Sequence, residues 1–206
     1  MHHHPFWRIE RAAGLFLVLG FVANIAGVLM FQFRDGVNGG APPSHEYYLW
    51  ERGLFMGAVV LTAIGFVLLE GHLDTTAGRV LARTGAVAYL FAGILGVTAE
   101  ALDLSGTGQN LYPLFVVHVV LAFLGQAAIG GALWQSRIVA AWISWATILW
   151  NLAWLVVLPL VTPRDIYFPI LHDLMPLLIG VPLLWRPALP RGSRQQPERQ
   201  EAPAPH

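Results

Sequence analysis

The sequence predicts an all-α fold, a polytopic membrane bundle of six transmembrane helices with both termini on the same face. Composition is the first observation behind this prediction. Apolar residues make up 56% of the 206-residue chain and charged residues only 12%, with a mean hydropathy of +0.58, whereas charged residues make up about 25% of a soluble domain. The spacing of the apolar segments and the uneven distribution of arginine are the other two observations.

Six apolar segments are long enough, or nearly long enough, to cross a membrane. A transmembrane helix needs about 20 mostly apolar residues to cross about 30 Å of hydrocarbon. We take the first segment as a retained helix, because it is longer than the apolar region of a signal peptide and no small-residue cleavage site follows it. The segments are residues 12–33, 53–69, 80–99, 111–134, 138–161 and 166–185.

The arginines predict how the bundle is oriented. With six spans, both termini lie on one face, and that face carries nine of the twelve arginines. Because positive residues concentrate on the cytoplasmic side, we expect both termini to be cytoplasmic. The nine are Arg8, Arg11, Arg79, Arg83, Arg137, Arg186, Arg191, Arg194 and Arg199, against Arg34, Arg52 and Arg164 on the other face.

The chain divides into a transmembrane domain and a tail. Residues 1–186 contain all six spans, and residues 187–206 are rich in Pro, Arg, Gln and Glu. Such a composition cannot bury enough apolar surface to order itself, so it predicts a disordered cytoplasmic tail. His2, His3 and His4 are assigned no role.

Small residues four apart predict where the helices pack, because lipid-embedded helices approach closely through such residues. Trp134 and Trp142 fit an interfacial belt, while Trp150 and Trp154 lie too deep for one and fit core packing. The predicted packing positions are Gly20, Asn24 and Gly27 in the first span, Gly53, Gly57 and Gly65 in the second, and Ala92, Gly93, Gly96 and Glu100 in the third.

Asp173 is the strongest candidate functional residue. If the last span began after it, only twelve residues, about 18 Å of helix, would remain, which is too short to cross the membrane. His172 and Asp173 therefore lie inside the membrane, where a carboxylate costs about 2.5–3.5 kcal/mol near a helix centre and needs a partner. Pro169 and Pro176 flank the pair and free backbone carbonyls, as is typical of a helix that lines a protein interior.

Four further polar residues fall in the half of the membrane that is poor in arginine. His118 lies inside the fourth span and is either bonded to a neighbouring helix or a ligand or proton carrier. Glu100 and Asp103 share one helical face and are either a solvated helix end or part of a site. Asn151, in a polar stripe with Ser144 and Thr147, must form a hydrogen bond near mid-membrane, and a structural bond between helices is the simpler reading.

Two polar segments lie at the ends of the second span. Glu70, His72 and Asp74 precede Arg79 and Arg83, which predicts a cytoplasmic ion-pair cluster. On the opposite side, residues 45–52 read as the start of an interfacial helix whose aromatic side chains lie at the lipid headgroups.

Several classes of function are excluded or lack a motif. The chain has no cysteine, so disulfides, thiolate metal sites and thiol catalysis are excluded. Its net charge is zero, so it has no nucleic-acid-binding footprint. It contains no Walker loop, no His-Glu-x-x-His and no Gly-x-Ser-x-Gly.

The segment from Arg11 to Asn24, RAAGLFLVLGFVAN, precedes an outer loop that contains prolines and the pair His45-Glu46. In these features the chain resembles a group of uncharacterised bacterial six-span membrane proteins that share a domain of unknown function. The resemblance covers the first half of the chain best. It implies a six-helix inner-membrane protein and assigns no catalytic residue.

Three functions fit these observations. The first is binding or transport of a small molecule or lipid through an outward-facing polar cavity. The second is a membrane-embedded enzyme, with zinc held by His118, His172 and Asp173 or haem held between the two histidines; no metal or cofactor is assigned. The third is a structural or partner-binding membrane subunit. The candidate ligand-binding residues are Glu100, Asp103, His118, Asn151, His172 and Asp173.

Overall fold

The computed structural model describes residues 9–37, 43–73, 76–106, 110–162 and 168–185, and within them every regular element is a helix. Five helices are long and apolar enough to cross a membrane, and the last is a shorter apolar helix of 17 residues. The predicted multi-pass all-α bundle is therefore confirmed. The helices are α1 (Ile9–Gln32), α2 (Arg34–Val37), α3 (His45–Glu70), α4 (Thr76–Leu104), α5 (Tyr112–Ser136), α6 (Ala141–Val161) and α7 (Pro169–Trp185).

Two of the differences between the helix ends and the sequence prediction affect how the bundle packs. Helix α3 begins eight residues before the predicted span, because the Ser44 hydroxyl caps it by accepting from the Tyr47 N–H at 3.2 Å. The Tyr47 hydroxyl donates to the Met30 carbonyl at 2.6 Å and so ties this extension to α1. Helix α7 begins at Pro169 rather than residue 166; Phe168 is not helical, and residues 166 and 167 lie outside the described ranges, as does the tail at 187–206.

The five long helices and α7 form a ring in the order α6, α5, α4, α3, α1, α7. Extensive packing joins α4 to α5, α1 to α3, α1 to α7, α5 to α6 and α3 to α4. Helix α7 packs mainly on α1 and only lightly on α6, its neighbour in sequence. The ring is therefore least tightly closed between α7 and the pair α5 and α6.

The two ends of the bundle have different interiors. We call the end with the α1–α3, α4–α5 and α6–α7 connections the outer end, and the opposite one the inner end. The inner half is filled by apolar side chains, with Phe66 packed edge-on against Tyr89 at a ring-centroid distance of 5.0 Å. Leu69, Leu133 and Leu183 are fully buried there. This apolar layer separates the inner end from the polar groups of the outer half.

Most of the predicted small-residue contacts are present. Gly20 lies against Thr62, Gly27 against Phe55, and Gly96 against the ring of His118. The prediction for Gly53 and Gly57 is wrong, because a Cβ built at either one meets nothing within 4 Å. Two glycines outside the predicted set, Gly14 and Gly180, bring α1 and α7 into backbone contact.

The inner end does not contain the predicted ion-pair cluster in the part of the chain that the structure describes. His72 pairs with Glu10 at 2.6 Å, which joins α3 to the start of α1. Among the described residues no ion pair reaches Arg79 or Arg83, and Asp74 lies outside them. Trp134 and Trp142 are about half exposed (48% and 62%), as an interfacial position requires.

We predict that Gly14→Ala and Gly85→Ala lower the free energy of unfolding by about 1–3 kcal/mol, the usual cost of overpacking. A Cβ at Gly14 would lie 2.7 Å from the Gly180 carbonyl oxygen, and one at Gly85 2.6 Å from that of Gly125. Chemical unfolding in detergent micelles measures the change. Gly57→Ala is the matched control and should be neutral or stabilising, since alanine favours a helix; equal losses in all three would contradict these contacts.

Candidate functional site

Asp173 is buried in the bundle and bonded to two other helices. Its side chain is 3% exposed. The Asn24 amide of α1 donates to Oδ2, and the Thr62 hydroxyl of α3 donates to Oδ1 at 3.2 Å. Thr62 lies eleven residues beyond Glu51 along α3, about 16 Å of helix, so the carboxylate is deep in the membrane. These donors give the partners that a carboxylate at such a depth requires.

A proline removes one backbone hydrogen bond of α7 next to this carboxylate, although the helix continues through it. Pro176 has no N–H to donate to the carbonyl of His172, four residues earlier. The Gln126 amide of α5 donates to that carbonyl instead, at 2.6 Å. The indole N–H of Trp150, on α6, donates to the neighbouring carbonyl of Leu171 at 3.0 Å. The Gln126 amide thus replaces one lost backbone bond, and the Trp150 indole adds a second bond to the first turns of α7.

His118 has a defined hydrogen-bond arrangement. Its ring is 3% exposed and fills the space that Gly96 leaves on α4. Nδ1 lies 2.8 Å from the carbonyl oxygen of Ala92. Because a carbonyl only accepts, we assign the hydrogen to Nδ1, and the neutral ring then keeps a lone pair on Nε2.

His172 differs from His118 in its bonding. The side chain is 5% exposed, and neither ring nitrogen has a hydrogen-bond partner among the described residues. The ring stacks on Phe123 at a centroid distance of 4.3 Å and an interplanar angle of 23°. It also faces His118, with centroids 5.6 Å apart and planes inclined by 39°. Such a buried polar group without a partner indicates a place where a ligand or water binds.

A small cavity connects these groups. It has a volume of about 10 Å³, close to the minimum that a single water needs. Polar side chains from α1, α5 and α7 face it, together with apolar ones from α3. We call this the polar site; its lining residues are Asn24, Phe55, Ala58, Val59, Tyr89, His118, His172 and Asp173.

An ion-pair network lies over the outer side of the polar site. Glu51 is fully buried and takes a two-point contact from Arg34, with Nη2 to Oε1 at 2.6 Å and Nε to Oε2 at 3.2 Å. Phe55, which lines the cavity, is one turn further along α3. The pair thus ties the short helix α2 to α3 on the outer side of the cavity.

Arg52 extends the network to α4. Its Nη1 lies 2.8 Å from Oε2 of Glu100, and its Nη2 lies 3.3 Å from Oδ2 of Asp103. The Tyr48 hydroxyl donates to the same Asp103 oxygen at 2.5 Å. Glu100 is 2% exposed and Asp103 40%, so a solvated helix end describes Asp103 but not Glu100. Both carboxylates belong to the network rather than to the cavity wall.

Asn151 lies apart from both groups. Its amide donates to the carbonyl of Thr147 on its own helix at 2.7 Å. Ser144 and Thr147, from the same stripe, pack against Gly130 of α5. The stripe therefore forms the α5–α6 contact. Of the six predicted ligand-binding residues, His118, His172 and Asp173 meet at the cavity, Glu100 and Asp103 join the network, and Asn151 is separate.

The geometry bears on the two cofactors considered from the sequence. In the part of the chain that the structure describes, no three histidine, aspartate or glutamate side chains surround a common point that could hold a metal. The Asp173 oxygens are taken by Asn24 and Thr62, so a zinc site of His118, His172 and Asp173 is not formed. A cavity of about 10 Å³ is far too small for a porphyrin between the two rings.

No family model, no curated protein and no solved structure matches this chain. The function is therefore argued from the polar site itself. The resemblance to uncharacterised six-span proteins stays an expectation.

Sequence reasoning missed Gln126 and Thr62 as parts of the site and took Asn24 only as a packing residue. One signal for Gln126 was available, because Pro176 frees the carbonyl four residues before it and a buried amide elsewhere in the membrane must bond something. No sequence pattern indicated that Thr62, surrounded by apolar residues in α3, faces Asp173.

We predict that Gln126→Leu lowers the free energy of unfolding by about 1–3 kcal/mol, because it leaves the His172 carbonyl buried without a donor. Pro176→Ala restores a backbone N–H at the position that can donate to that carbonyl. The double variant should therefore lose less than the sum of the two single losses, and a double-mutant cycle in detergent measures the difference. Strict additivity would contradict the role of Gln126.

Proposed function

We propose that this protein binds a small polar solute taken up from the outer side of the membrane, and holds it in the closed polar site. In this proposal the arginine-rich inner end faces the cytoplasm of a bacterial inner membrane. The observation that carries it is the meeting of Asn24, His118, His172 and Asp173 around one cavity, with a histidine there that lacks a hydrogen-bond partner among the described residues.

The size and lining of the cavity limit the solute. A volume of about 10 Å³ admits a water-sized species or a single ion, so lipids and larger organic molecules are not candidates for this closed state. The polar lining supplies imidazole nitrogens beside one carboxylate. This combination suits a cation or a hydrogen-bonding solute, and it opposes an anion, which the Asp173 carboxylate repels.

The surroundings of the site favour access from the outer side. The apolar layer of Phe66, Ile129, Leu133 and Ile179 closes the inner half. On the outer side the barrier is the ion-pair network, whose members come from separate helices and can part when those helices move. Pro176 leaves the His172 carbonyl without its helical N–H donor beside the site, so a polar backbone group lies next to the cavity.

A second candidate is a partner-binding membrane subunit, favoured by the open face of α3. Gly53 and Gly57 meet nothing within 4 Å, and an apolar groove of about 450 Å³ lies between α3 and α4. Small residues four apart are typical of helix–helix contacts in membranes. This function needs no access to the polar site, so the experiment below separates the two.

Because the chain has no cysteine, single-cysteine labelling tests the proposal cleanly. Ala58 is 1% exposed and lines the cavity. We predict that Ala58→Cys in oriented vesicles reacts with a small membrane-impermeant thiol reagent from the outer side only. Adding Arg52→Gln, which removes the partner of Glu100, should raise the rate about tenfold, as expected if the open state gains about 1.4 kcal/mol.

Val60→Cys is the matched control, since Val60 lies half a turn away on α3 and its side chain is 47% exposed on the lipid-facing surface. It should stay unreactive with and without Arg52→Gln. The proposal fails if Ala58→Cys is unreactive from the outer side in both backgrounds, or if it reacts only from the inner side. The first of these results would favour the partner-binding subunit.

A further inference from the structure

An apolar groove runs along the lipid-facing side of the bundle between α3 and α4. Its volume of about 450 Å³ is within the range of sites that hold small ligands. Gly93 and Ala63 are buried and form its floor, where a Cβ at Gly93 would lie 3.2 Å from Val59. Larger and more exposed side chains, such as Val67 and Leu90, form its walls. The groove is therefore a concave surface that faces lipid, with the two helices in contact beneath it.

The lining of the groove suits a hydrocarbon chain. Of the ten described residues that line it, Thr98 alone has a polar side chain. The Thr98 hydroxyl donates to the carbonyl of Ile94 on the same helix at 2.7 Å, so it already has a partner. Because burying a polar group without a hydrogen bond is costly, this lining favours an apolar occupant.

Two exposed arginines lie on α4 at the inner end of the groove. Arg79 and Arg83 are four residues apart, and Arg83 lies seven residues before Leu90 and fourteen before Val97. At 3.6 residues per turn these spacings put all four residues on one face of α4. Helical side chains lean toward the N-terminus of their helix, which for α4 is the inner end. The two guanidinium groups therefore extend from the groove toward the lipid headgroups.

Neither arginine forms an ion pair within the described part of the chain. Glu70, which ends α3 two residues beyond Leu68, is not paired with Arg79 or Arg83. An arginine presents a planar fork of N–H donors that matches the oxygens of a phosphate group. The inner end of the groove thus carries two positive charges at the level of the lipid phosphates.

The length of the groove together with its arginines matches one leaflet of the membrane. The fourteen residues from Arg83 to Val97 span about 21 Å of helix, and half of a bilayer with its headgroups measures about 20–22 Å. A phospholipid whose phosphate lies at Arg83 can therefore place one acyl chain along the groove as far as Val97. A partner helix would also fill the groove, but an apolar helix would leave both arginines without a counter-charge.

We propose that the groove between α3 and α4 binds one acyl chain of an anionic phospholipid, whose phosphate is held by Arg79 and Arg83. Charge selects an anionic lipid over a zwitterionic one, because basic residues near the membrane surface attract anionic headgroups. This lipid site is separate from the polar site and does not depend on the solute bound there. It leaves Gly53 and Gly57, closer to the outer end of α3, open to a partner helix.

Native mass spectrometry of the full chain in detergent tests the proposal, with phosphatidylglycerol and phosphatidylcholine of identical acyl chains as competing probes. We expect one phosphatidylglycerol per chain, bound at least about tenfold more tightly than phosphatidylcholine. Replacing both Arg79 and Arg83 by glutamine should weaken phosphatidylglycerol binding about thirtyfold, since each basic residue contributes about fivefold. Arg137→Gln is the matched control, because it removes an exposed charge at the inner end of α5, away from the groove, and it should leave the preference unchanged.

A bulky side chain in the groove tests the binding of the acyl chain. In Val67→Trp the indole leans toward the N-terminus of α3, over Ala63 and Ile64, and so fills the groove. Binding of both lipids should fall severalfold, because the acyl chain loses its packing contacts there. Val156→Trp makes the same change at an exposed position of α6, outside the groove, and should bind lipid as the parent does.

The lipid site is overturned if the parent binds both lipids alike, if the double glutamine variant keeps the preference, or if Arg137→Gln loses it as well. Binding by Val67→Trp equal to that of the parent would overturn it too. A dimer that carries no phosphatidylglycerol would also overturn it and would assign the groove to a second copy of the chain. The labelling of Ala58→Cys is independent of all these results, so the proposed function is tested separately.

Discussion

The carboxylate of Asp173, bonded to Asn24 and Thr62, is the constraint on which the arrangement of this bundle depends. A charge at that depth is tolerated only with partners, and both partners lie on helices remote in sequence. They draw α7 onto α1, against which it packs far more than against α6, the helix that precedes it. The backbone contact of Gly14 with Gly180 lets α1 and α7 approach closely in this arrangement.

Placing α7 against α1 has consequences for its other face. The carbonyls of Leu171 and His172 then point toward α5 and α6, where Gln126 and Trp150 donate to them. The same placement brings the His172 ring beside His118. The polar site therefore follows from two local causes, a buried carboxylate that selects its neighbours and a proline that frees a carbonyl. The apolar inner layer and the outer ion pairs enclose the polar site.

The fold followed from the sequence because hydropathy and helix length are properties of single segments. The positions of α1, α4, α5 and α6 along the chain could be predicted without knowing how the helices pack. Asp173 and His172 were also predictable, since the length of the last span forces them into the membrane. Their partners were not, because helical periodicity shows which residues share a face but not which helix that face meets. Glu100 illustrates this, because its position on α4 does not show that its partner is Arg52. Gly53 and Gly57 illustrate it too, because their spacing predicts a helix contact but no other helix packs against them.

Exchanging Asn24 and Asp173 tests most directly whether their contact determines the arrangement of the bundle. Asn24→Asp alone places two carboxylates against each other and should cost about 3–5 kcal/mol of unfolding free energy, the range for an uncompensated buried charge. Combining it with Asp173→Asn returns one carboxylate and one amide to the pair and should recover most of that loss, measured by chemical unfolding in detergent. An Asn24→Asp variant as stable as the parent, or an exchanged variant no more stable than Asn24→Asp, would contradict the central role of this contact.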